Sequence, residues 1–197
     1  MKRTILNILL TLGIILIAIL LINSIKEPIR FQQQKAKREL AVIKKLMDIR
    51  KAEEIYNSIK GSFAPSWDSL IYVLKHDSVP IVILEQDPNN PDDPTAILRD
   101  TNYVPAREKL LEVGLHPDSL DNLPFVPYSN KDTFMIFADI IEYQKTKVPV
   151  MEVGVPYKVF MGPFSDKRYQ RYDDNYDPDK LLKIGDRNKP TLAGNWE

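Results

Sequence analysis

The chain has 197 residues, 27 Lys/Arg against 27 Asp/Glu, and no cysteine. The missing cysteine excludes a disulfide, a thiolate nucleophile, a Cys-ligated zinc or iron–sulfur site and the lipidated cysteine of a lipoprotein. The neutral balance hides a division: residues 1–60 carry 12 Lys/Arg and 5 Asp/Glu, whereas residues 61–197 carry 15 and 22.

Residues 1–25 form the first unit. From Ile5 to Ile25 there is no charged residue; Asn7, Thr11, Asn23 and Ser24 are the polar exceptions, and Lys2 and Arg3 precede the run. At roughly 1.5 Å per residue a helix of this length reaches about 30 Å, the thickness of a bilayer's hydrocarbon core. A cleaved secretory signal is the rival reading. It has a shorter apolar core of about 7–15 residues and a small-x-small cleavage site. This run is longer and exits through Leu21-Ile22-Asn23-Ser24-Ile25. A retained transmembrane anchor is therefore expected, with the lipid bilayer as its first partner.

The basic arm that follows fits attraction to anionic headgroups better than nucleic-acid binding, since no aromatic-interleaved basic module accompanies it. Orientation cues conflict. Lys26, Arg30, Lys35, Lys37 and Arg38 outnumber Lys2 and Arg3, which places the large domain in the cytoplasm by the positive-inside rule. The Met-Lys-Arg start resembles a signal-anchor that holds its N-terminus inside.

Residues 26–61 read as an amphipathic helix. Ala36, Leu40, Ile43 and Met47, then Ile49, Ala52, Tyr56 and Ile59, recur in threes and fours along one face. The step of two between Met47 and Ile49 shifts the stripe, so no heptad is sustained and no coiled coil is expected. Lys35 with Glu39 and Arg50 with Glu54 are spaced to pair. Pro28 is expected to kink the path, and Gly61 to end it.

Residues 62–164 are expected to be an α+β part. Ser66 is a candidate N-cap for a helix over Trp67–Lys75, with Leu70, Ile71 and Leu74 toward a core. Val79–Leu84 is a β-branched strand. Glu85–Asp93, rich in proline, asparagine and acid, is loop. Ala106–Val113 is a short helix closed by Gly114. Thr133–Tyr143 and Val148–Val153 are strands, and Gln144–Lys147 makes them an antiparallel hairpin. Pro149 and Pro156 suggest that the second strand lies at an edge. A further strand is expected near Tyr157–Met161. Residues 165–197 form a polar tail with little regular structure.

One stretch carries more than generic pattern. A hydrophobic span runs through a proline into a helix that ends Ala52-Glu53-Glu54-Ile55-Tyr56, then Lys60-Gly61-Ser62-Phe63 and Trp67-Asp68-Ser69-Leu70. This resembles type IV pilins and the pseudopilins of type II secretion systems. Over residues 5–75 the resemblance implies a spine helix packed on an antiparallel sheet, a cytoplasmic-membrane anchor with the bulk outside, and other membrane-anchored envelope or secretion subunits, itself included, as partners. On that pattern Leu40, Ile43, Met47, Ala52, Tyr56, Ile59, Phe63 and Trp67 are the spine–sheet packing residues. Ala52 allows close approach, and Phe63 folds back over the end of the spine. The family's processing motif departs here: Gly13 is the only glycine near the start, and Ala18 stands where the family has a glutamate. Peptidase processing is not expected.

Catalytic chemistry has little foothold. His76 and His116 are the only histidines and form no paired metal motif, and the 7 glycines include no phosphate-cradling loop. No cofactor, nucleic acid or small-molecule substrate is expected, and no enzyme. Asp87, Asp92 and Asp93, or Asp173, Asp174 and Asp177, are the candidate calcium ligands, but neither cluster has EF-hand spacing and turn chemistry alone, the favoured reading, accounts for such acidic runs. Phe63, Trp67 and Tyr72 are expected to cover the end of the spine, and Trp196 to fasten the tail. Two functional readings follow: a non-catalytic pilin-like subunit of a secretion or filament assembly, and a tethered adaptor of either topology that never polymerises.

Overall fold

The computed structural model describes residues 2–86 and 97–197. Its axis is one helix, α1 (Lys2–Lys60), 59 residues long and continuous through Pro28; at 1.5 Å per residue it extends roughly 90 Å. Gly61 ends it at φ 71°, its N–H bonded to the Asn57 carbonyl at 2.8 Å. That left-handed closure suits glycine, which has no Cβ to clash.

The chain then turns into α2 (Trp67–His76), where the Ser66 hydroxyl accepts the Ser69 N–H at 3.3 Å. Asp68 in the first turn and Lys75 and His76 in the last complement the helix dipole. Leu70, Val73 and Leu74 are buried. Strand β1 (Ser78–Gln86) pairs antiparallel with β2 (Ile97–Pro105), Ser78 opposite Pro105 through Gln86 opposite Ile97. Helix α3 (Ala106–Glu112) follows at once, and the Ala106 N–H bonds the Asp77 carbonyl, closing the base of this ribbon.

The second sheet has the order β3–β4–β5, all antiparallel: β3 (Met135–Tyr143), β4 (Thr146–Pro156) and β5 (Leu181–Gly185). Only Gln144 and Lys145 link β3 to β4, at φ 50° and 67°. Two positive-φ residues are what a tight hairpin with right-handed twist demands, so the connection is shorter than the four residues expected.

Three further expectations are corrected. Strand β4 is central, because β5, from the supposedly irregular tail, pairs with its Glu152–Pro156 half. Pro149 fits because that pairing stops short of it, leaving β4 flanked there by β3 alone. Tyr157–Met161 is helix α4, not strand; Pro156 precedes its first turn. A turn of 3₁₀ helix at Lys167–Tyr172 then brings the tail against α1.

The architecture is thus α+β: a long helix whose distal half contacts β5, β1, α2, α3 and α4. Phe31, Val42, Leu46, Ile49, Ala52 and Tyr56 from α1 join Met151, Val153, Val155, Leu182 and Ile184 in one core.

Candidate functional site

The covered face of α1 is not the stripe that apolar counting picks out. Phe31, Val42, Leu46, Ile49 and Ala52 are fully buried, whereas Leu40 is 68% and Met47 40% exposed. Leu40 and Met47 are therefore corrected from packing residues to surface residues. Ile43, Ile59 and Trp67 are half-buried against the core, and Ala52, Tyr56 and Phe63 lie within it. The cause is polar. Lys35, Arg38 and Glu39 lie between Phe31 and Val42 on the inner side and bond across to α4 and the tail. The Lys35 ammonium pairs with Asp173, the Arg38 guanidinium donates to the Phe160 carbonyl at 2.6 Å, and Tyr157 donates to Glu39 at 2.8 Å. Burial, and then the Glu39 carboxylate, keep the Tyr157 hydroxyl protonated far above the usual range.

The end of the spine is fastened by side chains the resemblance singled out. The Tyr56 and Ser69 hydroxyls are 2.9 Å apart, and the Trp67 indole donates to the Phe134 carbonyl at 3.0 Å. Sequence reasoning passed over Glu53. Its side chain is fully buried, one oxygen accepts the Ala64 N–H at 2.9 Å, and Oε1 has no partner. Its desolvation pushes the carboxyl up to about 7, against the pull of that bond. The only signal was its place between Ala52 and Tyr56 on the covered face. Glu152 is the second buried carboxylate. Burial alone would raise its pKa, but hydrogen bonds from Lys183 and Arg187 hold it below the usual value.

The other candidates are dispersed. His76 is exposed, its ring stacked on Tyr72, which is itself exposed; His116 is exposed and takes the Asp118 N–H at the start of a 3₁₀ turn. Asp87, Asp92 and Asp93 lie outside the described residues. Asp173 is engaged with Lys35 and the Asn175 N–H, Asp177 accepts the Asp179 N–H, and Asp174 is exposed. Among the described residues no three His, Asp or Glu side chains converge as a metal site would require. Trp196 is half-buried against the core, and Glu197 pairs with Arg50 at 3.0 Å.

What remains outward-facing is apolar and extended. The described large hydrophobics from Ile8 to Ile25 are 48–68% exposed, and this helix alone is long and apolar enough to cross a membrane among the described residues. Farther along α1, Ala36, Leu40 and Met47 are exposed on one side, beside the exposed Lys37 and Lys44. Val82, Leu84 and Tyr103 stand open on the β1–β2 ribbon, and Met135, Ile140 and Tyr143 on β3, the outer strand of its sheet. Beyond its base, where Val79 is buried, the ribbon has no cover over residues 82–84 and 99–103, and a two-stranded hairpin is marginal in water by itself. Comparison of the chain with family models, with characterised proteins and with solved structures found no match.

Proposed function

We propose that this chain is a single-pass, membrane-anchored, non-catalytic subunit of a pilin-like secretion or filament assembly. Residues 5–25 lie in the cytoplasmic membrane and the domain beyond residue 61 stands on its outer side. The observation that carries this reading is the division of α1 into two zones on one uninterrupted rod. The first zone is predominantly apolar, and its described large hydrophobic side chains stand exposed with nothing from the chain covering them. The second is sheathed on one side by sheet and helices and shows Leu40 and Met47 on the other.

A lone apolar helix of this kind is at rest only in lipid or against other apolar helices. The open stripe and the uncovered strands supply contacts for neighbours above the membrane. The buried carboxylates serve the fold: one Glu53 oxygen holds Ala64, and Glu152 joins β4 to Lys183 of β5.

A second reading is favoured by Ala18, where the resembling family carries a glutamate: a tethered adaptor that keeps the layout without polymerising. Cysteines placed at Leu9 and Leu16 and oxidised in native membranes separate the two, because ladders of crosslinked species require a polymer while a single monomer band fits the adaptor. Protease mapping of residues 61–197 tests topology, and cleavage only from the cytoplasmic side removes the secretion reading.

A further inference from the structure

Where α1 leaves its apolar stretch, the tail returns to meet it. Phe31 is fully buried, stacked on Tyr169 with ring centres 5.2 Å apart and edge-on to Tyr176 at 5.1 Å. That contact fixes the Lys167–Tyr172 turn beside the helix, and with it two arginines. The Arg171 guanidinium lies 3.1 Å from a Glu27 oxygen that also accepts the Tyr172 hydroxyl at 2.9 Å, and Arg168 approaches Glu27 at 4.0 Å. Each guanidinium also covers a ring, Tyr169 at 4.7 Å and Tyr172 at 4.5 Å.

On the helix side, Lys26 and Arg30 are one turn apart on one face, exposed, and among the described residues in no ion pair. With Glu27 and the half-buried Phe164 they line a hollow of about 270 Å³. Arg168 and Arg171 thus reach Glu27 from the tail while Lys26 and Arg30 line the hollow beside it from the helix, four cations around one carboxylate. Lys167 has Asp179 at 3.9 Å, a carboxylate shared with Lys158.

We propose that this collar binds the phosphate of an anionic phospholipid in the leaflet from which the helix emerges. The inference rests on residues 5–25 spanning the bilayer. Lys26 is the first charge after that run, so the headgroup layer falls at Lys26–Phe31, level with the hollow. Two unpaired cations and an aromatic wall match a phosphate ester with its glycerol. The arginines are already held by Glu27 and by their rings, so little freedom is lost when a lipid arrives. A basic residue near an anionic surface strengthens association about fivefold, and the effect fades within a Debye length of about 10 Å.

The test is reconstitution of the full chain into phosphatidylcholine bilayers, with spin-labelled phosphatidylglycerol or spin-labelled phosphatidylcholine as the reporter of lipid held at the protein. The wild type should hold phosphatidylglycerol at least about fivefold more strongly. Lys26→Gln with Arg30→Gln should reduce that preference to less than about twofold. Lys37→Gln with Lys44→Gln, the same loss of charge more than a Debye length farther from the bilayer, should leave it unchanged. Equal retention of both lipids overturns the collar alone, as does equal loss in the two double variants, which would mean diffuse attraction. Displacement by millimolar inorganic phosphate would replace the lipid with a soluble anion and overturn the proposal. Failure of the chain to enter phosphatidylcholine bilayers sinks the spanning reading and the collar together.

Discussion

The Glu53 carboxylate accepts the Ala64 N–H at 2.9 Å from inside the core, tying the last turns of α1 to the segment that leaves it. The geometry has a cost in pH. Burial raises the carboxyl from its ordinary 4.5 to about 7. Between those values the folded chain holds a proton that the unfolded chain has released. The stabilisation tied to this group is therefore complete below about 4.5 and lost as pH rises through about 7. The whole difference is roughly 3 kcal/mol at the usual conversion of pKa units to free energy.

Glu152 and Asp173 work in the opposite sense. Both are held below their ordinary values, Glu152 by Lys183 and Arg187 against the effect of burial, and Asp173 first by Lys35. Their contribution is present above the ordinary carboxylate range and lost as pH falls through the depressed values. Unfolding by denaturant should thus show greatest stability at mildly acidic pH. Glu53→Gln should flatten the profile between pH 5 and 8 and exceed the wild type at pH 8. A wild type equally stable at pH 5.5 and pH 8 would contradict the assignment.

Leu40 and Leu46 differ by less than two helical turns and should behave oppositely. Leu46 is fully buried, so Leu46→Ala removes packed atoms and leaves a cavity, at about 2–5 kcal/mol. Leu40 is 68% exposed, and Leu40→Ala should change stability by no more than about 0.5 kcal/mol. Chemical denaturation of the two variants checks this. The same Leu40→Ala change, combined with Met47→Ala, should weaken any association of the chain with its neighbours while leaving the monomer folded, since both side chains are exposed and outside its core.

That pair also shows where the sequence misleads. The helix, its stop at Gly61 and the Ser66 cap were readable because each depends on a local signal. The inner face of residues 31–47 was not, because Lys35, Arg38 and Glu39 are satisfied by Asp173, Phe160 and Tyr157, more than 100 residues away. A polar residue with a distant partner looks, in sequence, like a solvent-facing one. Strand β2 escaped notice because Arg99-Asp100-Thr101-Asn102 lies on an open ribbon with no buried face to impose alternation. Strand β5 is five residues in a polar tail, and only β4 on one edge and residues 193–195 on the other give those residues a reason to extend. The basic collar was half visible, as charge beside a bilayer; its arginines come from a turn that only folding brings to Glu27.

Gly185 closes the sheet at φ 74°, where an added Cβ would collide with the Met151 carbonyl. That oxygen belongs to β4 and has no easy retreat. Gly61 has a similar φ of 71° but open space around it. Gly61→Ala should cost about 1 kcal/mol for the left-handed backbone alone. Gly185→Ala should cost clearly more, at least about 2 kcal/mol, because strain and collision add. Comparable thermal midpoints for the two variants would show that the β4–β5 seam yields more readily than its geometry indicates.

Arg38 is the pin between α1 and α4. One amino group donates to the Phe160 carbonyl, the guanidinium lies 5.1 Å from the Tyr128 ring, and its tip fills the space a Cβ on Gly162 would need. Arg38→Ala leaves that carbonyl without its donor and opens a gap against Gly162, a loss of about 1–3 kcal/mol. Arg38→Lys should recover only part of it, because an ammonium lacks the planar fork and covers the ring less well. The damage should be local. Hydrogen exchange should quicken across Tyr157–Tyr172 while the β1–β2 ribbon, which makes none of these contacts, keeps its rate. A uniform rise over the whole domain would instead mean that the tail and the core open as a single cooperative unit.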